Sequence, residues 1–309
     1  MRTSCLITCY NYEKYILEAI DSALRQTVAF DEIIIIDDGS IDNSVTIINE
    51  RYKGESRLQV ISKKNQGQLS SFNEGYLSSK GDLIFFLDAD DVYELNYLEN
   101  ALKYYELHKD CDFMFCATQE FGESNNACYA FDNDKDCGYT VVLSLYLQCW
   151  VGAATSCISI KRDILDKILP MPYYFLADWK IRADDILVWG ASLAGARKYY
   201  INQRLVKYRV HENNSFCRKK LSDNYNYKRK LIVYELFAYF KRRFYSSDFD
   251  FLFLIKDEYK SIPFPTRNDY NNYRKVIKIS PLSFFKKIEM SISLYKYYLK
   301  KSQHSQNKK

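Results

Sequence analysis

Asp88 and Asp90 are separated by one alanine, Ala89, and follow directly on the apolar run LIFFL at 83–87. Two carboxylates so placed at the end of a buried strand can turn toward one divalent cation. Mg2+ or Mn2+ suits them, because both take oxygen ligands and bridge a few carboxylates to phosphate oxygens. Asp91 reads differently, as a helix N-cap, whereas Asp88 and Asp90 could not crowd together cheaply without a cation or several donors. A second acidic cluster, Asp37-Asp38-Gly39-Ser40, follows the run EIIII at 32–36. Such D-G clusters are ordinary turn chemistry. Asp38 on the same rim can also accept from the imide N–H of a uracil, with Tyr10 available to stack on the base and Thr8 to reach it through hydroxyl or backbone.

Residues of this kind need a frame that brings strand ends together. The first third of the chain supplies one by alternating strand and helix. Strands are expected at 4–8, 32–36, 58–61 and 83–87, and helices at 15–24, 43–52, 69–79 and 96–108. In the first helix Ile16, Ile20 and Leu24 recur at the helical period. Continuous apolar strands alternating with helices imply a doubly wound, mostly parallel α/β sheet, covered on both faces. Ligands of such sheets sit beyond the carboxyl ends of the strands, which is where Thr8-Cys9-Tyr10-Asn11, the Asp38 cluster and the Asp88 cluster all fall. Residues 118–148 lose this rhythm and read as loop with a helix around 143–147. A strand is expected at 152–160, a helix at 186–194 ended by Gly195, and a strand at 199–208.

The segment Lys64-Asn65-Gln66-Gly67-Gln68 joins a strand to a helix, and its amides could face a phosphate. It is not followed by Gly-Lys-Ser/Thr, and the chain has no G-x-G-x-x-G, which speaks against a dinucleotide cofactor. In order along the chain, TCYNYEKYI, EIIIIDDGS, KKNQGQLSSFNEG, GDLIFFLDADD, WKIRADD, GASLAG and YRVHENNS together resemble the family 2 inverting glycosyltransferases of the GT-A fold, over about residues 3–215. The resemblance implies a Rossmann-like sheet and a nucleoside diphosphate sugar donor, with UDP as the carrier. It implies that Thr8, Tyr10, Asn11, Asp38 and Gly39 hold the nucleoside, that Asn65, Gln68 and Asn73 lie near nucleotide or sugar, and that Asp88 and Ala89 meet ribose and diphosphate. Asp88 and Asp90 would hold Mn2+ or Mg2+, and His211 would close over it, an imidazole being acceptable to Mn2+. The family's general base is an aspartate opening a helix, commonly after a glutamate. Here Ala183-Asp184-Asp185 stands in that place; the distance to the helix-ending Gly195 favours Asp184, with Asp185 as the alternative.

Charge divides the chain. Residues 1–217 carry 22 Lys and Arg against 31 Asp and Glu, and residues 218–309 carry 22 against 8. The expected organisation is a GT-A body at 1–217, with a nucleotide-sugar half at 1–117 and an acceptor half at 118–217, followed by a basic helical extension at 218–309. In the extension, Phe285, Ile288, Ile292, Tyr295 and Leu299 make one helical stripe flanked by lysines, suited to an anionic membrane surface or to packing on the body. The acidic rim argues against nucleic acid on the body. No run is long and apolar enough to span a bilayer, residues 1–7 turn polar too soon for a signal peptide, and the nine cysteines form no C-x-x-C pair. These features point to a cytoplasmic protein at the inner face of the membrane, and the family resemblance implies a saccharide or lipid-linked saccharide acceptor in surface polysaccharide or lipopolysaccharide assembly. Two rival readings are a sugar-phosphate nucleotidyltransferase and a non-catalytic binding module derived from the same fold.

Overall fold

The computed structural model describes residues 1–212, 223–246 and 250–306. The body–extension boundary expected at 217/218, and Asn213 to Ser215 of the histidine motif, lie outside them. The chain opens with β1 (Thr3–Cys9), α1 (Ile16–Leu24), β2 (Glu32–Asp37), α2 (Ser44–Arg51), β3 (Leu58–Ser62), α3 (Gln68–Ser78), β4 (Leu83–Asp88), β5 (Val92–Tyr93) and α4 (Tyr97–Leu107). This is the expected alternation, with boundaries moved by no more than one residue and the short β5 added. It continues through β6 (Phe113–Gly122), β7 (Ala127–Cys128), β8 (Lys135–Gly138), α5 (Val141–Leu147), β9 (Ile158–Lys161), α6 (Arg162–Ile168), α7 (Asp184–Leu193) and β10 (Lys198–Val210). The helices α8 (Asp223–Phe244), α9 (Ile255–Lys260), α10 (Arg267–Ile279) and α11 (Phe284–Gln306) follow.

One sheet runs in the order β3-β2-β1-β4-β9-β6-β10-β5, with β7 and β8 paired to β6 and β10. The first four strands in that order are mutually parallel, as are β6 and β10, whereas β9 runs antiparallel to both its neighbours. The isoleucines of β2 show why this sheet is covered on both faces. Ile33 and Ile35 pack in a core shared with α1 and α4, and Ile34 and Ile36 in one shared with α3 and α7. Register aligns the carboxyl ends: Thr8 lies opposite Asp88, and Cys9 opposite Asp37.

Two segments differ from their sequence reading. The stretch at 118–148, expected as loop and one helix, begins inside β6, a ten-residue strand starting at Phe113. Its first five residues are apolar and buried beside β10, and its polar second half stays in the ladder because β10 continues alongside. The strand expected at 152–160 starts only at Ile158. Residues Thr155–Cys157 form a 3-10 turn instead, which lets the Ser156 hydroxyl donate to Asp91 (2.6 Å) and accept from the Asp88 amide (3.1 Å).

The extension packs into the body. Val233, Leu236, Phe237 and Phe240 of α8 belong to the core beneath α6 and α7, and α9–α11 build a second cluster around Val142 and Leu143 of α5. Glu258 of α9 joins the two. It is buried and accepts from the Val142 amide (2.8 Å), the Leu143 amide (3.2 Å) and the Tyr273 hydroxyl (2.9 Å), satisfying the otherwise orphaned first turn of α5. Burial raises its pKa to about 7. Glu258→Ala should therefore destabilise the chain by about 3 kcal/mol in denaturant titration, because three donors lose a buried acceptor. The folded chain holds this proton more tightly than the unfolded one. Its stabilising share is thus full below the unfolded pKa and falls as pH rises to about 7, so the loss on substitution should be larger near about pH 5 than near about pH 8.

Candidate active site

At the carboxyl ends of β1, β2 and β4 lies a cavity of about 690 Å3. Thr8, Tyr10, Asn11, Asp38, Asn65, Gln68, Asp88, Ala89, Asp90, Asp184 and His211 line it, so most of the residues singled out from sequence meet in one space. Tyr10 stands 43% exposed at the mouth, free of the core packing that fixes most aromatics of this chain. Asn11 adopts a left-handed conformation (φ 59°), and its side chain accepts from the Ile41 amide (2.8 Å), tying the loop after β1 to the loop after β2.

Asp38 has a structural task. Its carboxylate accepts from the amides of Gln66 (3.0 Å) and Gly67 (2.7 Å) and pairs with the Lys63 ammonium, folding the loop between β3 and α3 over the rim. Gly39 does not line the cavity. It has φ +76°, and a Cβ there would sit 2.9 Å from the Asn65 amide nitrogen, so its role is the close approach of these two loops. Three of the amides expected to face phosphate are used inside the protein, those of Gln66 and Gly67 by Asp38 and that of Gln68 by Lys180. The Gln68 amide donates to Lys180 O and the Leu69 amide to Trp179 O, so this helix start grips the segment before α7. Asn73 also falls outside the cavity wall, because its amide group exchanges hydrogen bonds with the backbone of Met171 (2.8 and 2.9 Å).

The acidic centre is held from several directions. Asp88 accepts from the Thr8 hydroxyl (3.2 Å) and from Gln68 Nε2 (3.1 Å). Burial, and then the charge of Asp90, raise its pKa to about 7. Asp91 is fully buried, bonded to Ser156 and to the Arg209 amide, and pushed well up by burial and by Asp90 and Asp88. Asp90 meets the His211 ring at 3.0 Å. Among the described residues no three His, Cys, Asp or Glu side chains converge as a preassembled metal cage. The donor set nevertheless fits a hard divalent cation. Asp90 and His211 are paired, and Asp88 and Asp184 line the same cavity, which leaves carboxylates in surplus there. Mg2+ and Mn2+ are commonly held by one or two carboxylates with the remaining ligands from phosphate and water.

At the start of α7 the structure separates the two candidate bases. Asp184 faces the cavity, and its pKa is raised to about 7 by burial, then by the charges of Asp185 and Asp88. Asp185 points away from the cavity, is fully buried and is neutralised by two arginines: Arg182 at 3.3 Å and Arg229 of α8 at 2.5 Å. The Arg229 guanidinium also lies 3.9 Å from the Trp179 ring centre. Gln68 links this helix start to the acidic centre, since its Oε1 accepts from the Ala183 amide (2.9 Å) while its Nε2 donates to Asp88.

Sequence reading missed part of the wall. Thr155 arrives with the 3-10 turn, Tyr12 and Lys14 with the loop after β1, and Lys180 and Arg182 just before the acid pair. The two cations in K-x-R-A-D-D were the available signal for an anion-facing wall. Arg182 is held in a left-handed conformation (φ 60°), an uncommon one for a side-chain-bearing residue and a frequent mark of a functional loop.

Residues 4–169 match the model of glycosyl transferase family 2. An uncharacterized glycosyltransferase of Nostoc sp. is 30% identical over 70% of this chain and 66% of its own length. The chondroitin synthase of Pasteurella multocida is 41% identical over 32% of this chain and 10% of its own. The chain thus spans at most 66% of the length of these curated relatives. Among solved structures, S. aureus TarS 1-349 in complex with UDP-GlcNAc superposes with a TM-score of 0.61 at 17% identity, covering 98% of this chain and 92% of that one. The expected GT-A architecture is thereby found in the fold.

Arg229 of the extension pairs with Asp185 behind the cavity wall, and breaking that pair leaves Asp185 buried and half-compensated. Arg229→Met should lower stability by about 3 kcal/mol in chemical denaturation, and Arg229→Lys by less, since a cation remains.

Proposed function

The chain belongs to glycosyl transferase family 2, and from that premise we propose that it transfers a sugar, with inversion, from a UDP-sugar to a hydroxyl of a saccharide or lipid-linked saccharide in surface polysaccharide assembly. The observation that carries this reading is that one cavity is lined at once by Asp88, Asp90 and His211 and by Asp184. An electrophile held by the first group therefore lies within reach of a base. The TarS structure of the same fold is a complex with UDP-GlcNAc, which supports a UDP-sugar as donor.

In this reaction Tyr10 stacks on the uracil at the mouth, and Thr8, Asn11 and Asp38 shape the nucleoside end. Lys180 and Arg182 face the diphosphate. Asp90 and His211, with Asp88, would hold Mn2+ or Mg2+, which when bound offsets the charge that grows on the leaving diphosphate. Asp184 accepts the proton of the acceptor hydroxyl as its oxygen attacks the anomeric carbon. The bond from that carbon to the diphosphate oxygen breaks on the opposite face, the electron pair leaves with UDP, and configuration inverts. Positioning and fixed charge supply most of the rate. Asp185, neutralised by Arg182 and Arg229, serves as a scaffold for Asp184.

Screening UDP- and GDP-sugars for hydrolysis identifies the donor by release of the nucleoside diphosphate; release of pyrophosphate would overturn the reading. Asp184→Asn should lower turnover at least about a thousandfold while calorimetry shows unchanged UDP binding. Turnover requires ionised Asp184, so the wild-type rate should fall on acidification along an ionisation at or below about 7, the value raised by burial and by neighbouring acids before a cation is bound. Asp90→Ala should abolish the dependence of UDP affinity on Mn2+.

A further inference from the structure

Helix α11 is apolar on two sides. Its inner side carries Met290 and Leu294, buried against α9 and α10. Its outer side carries Phe284, Phe285, Ile288, Ile292, Tyr295 and Leu299, each between 41% and 83% exposed. At about 100° per residue, these six fall within one arc of about 100°, turned away from the buried pair. Lysines border that arc on one edge, Lys296 and Lys300, whereas Lys287 lies toward the buried pair and donates to the Lys278 carbonyl (2.9 Å). The helix as a whole has five lysines and one glutamate, Glu289, which is already paired with Lys256 and Lys286. A soluble face would place polar residues here. The helix is docked chiefly by Met290 and Leu294, with Tyr297 bonded to the Lys260 and Ile262 carbonyls, and of the stripe Tyr295 meets Tyr270.

We propose that the outer face of α11 lies in the interface of an anionic lipid bilayer, with the aromatic and aliphatic stripe among the acyl chains and the bordering lysines at the headgroups. Charge selects this occupant. A second copy packing stripe to stripe would bring one lysine row against another, and a nucleic acid would leave Ile288 and Ile292 without an apolar partner. Lysines at the edge of a stripe reach up to phosphates while their stems cover apolar surface. No helix of the described residues is long and apolar enough to cross a membrane, so the contact is parallel to the surface. The inference goes beyond the sugar-transfer reading and does not rest on it.

The test is co-sedimentation of the full chain with vesicles of phosphatidylcholine, with and without phosphatidylglycerol. Binding should be at least about tenfold tighter with the anionic lipid and weaken as salt is raised. Ile288→Ser combined with Ile292→Ser should reduce it about tenfold or more, with circular dichroism unchanged because both positions are exposed. Lys296→Glu combined with Lys300→Glu should remove the preference for anionic vesicles. Donor hydrolysis without vesicles should be the same in all these variants, which separates this inference from the catalytic one. The proposal is overturned if the chain stays in the supernatant, or if the isoleucine variant binds as the wild type does. It is likewise overturned if that variant instead dissolves a concentration-dependent dimer, or if an oligonucleotide is bound and anionic vesicles are not.

Discussion

The side-chain amide of Gln68 sets the distance on which the cavity depends. One end donates to Asp88, at the carboxyl edge of β4, and the other accepts from the backbone at Ala183, where α7 begins. The acidic centre and the cavity-facing Asp184 are thus held by one planar group that cannot stretch. The helix carrying Gln68 is itself fixed, because its first amides bond to Trp179 and Lys180 and the loop before it is wrapped around Asp38. Charges that must act together are positioned by a neutral group, so none of them is spent on holding the others in place.

The cost of this arrangement is electrostatic. Asp88, Asp91 and Asp184 are all pushed toward the protonated form by burial and by neighbouring carboxylates. A cavity that concentrates so much negative potential attracts cations and cation-bound anions. Asp185 escapes by turning away from the cavity into two arginines. That division of labour between adjacent, chemically identical residues comes entirely from which way the helix start faces.

The extension belongs to the same design. Arg229 reaches the start of α7, Glu258 caps α5, and the aromatics of α8 complete the core beneath α6 and α7. A boundary drawn from charge alone marks a real change in surface composition, but the cores on either side of it are continuous. Composition follows what faces solvent, whereas packing follows what does not.

Much was legible in the residues. Apolar runs ending in Asp37-Asp38 and in Asp88-Ala89-Asp90 announce buried parallel strands and a polar rim, because strand burial and ligand position obey simple periodicity and topology. The cavity wall was legible to the same extent: Thr8, Tyr10, Asp38, Asp90 and His211, picked out by type and place, all line it. Asn73 and Gly39 were not correctly placed, since whether an amide faces a ligand or a neighbouring backbone depends on a partner such as Met171, far away in sequence. The same holds for β6, whose polar half is a strand only because β10 runs beside it. The order of residues by itself determined which elements form and which acids sit at their ends, as these follow from local propensity and apolar spacing. Only the tertiary structure turned Asp184 to the cavity and Asp185 away from it, brought Arg229 to Asp185 and left the outer stripe of α11 exposed among the described residues, because each is settled by contacts between segments far apart along the chain.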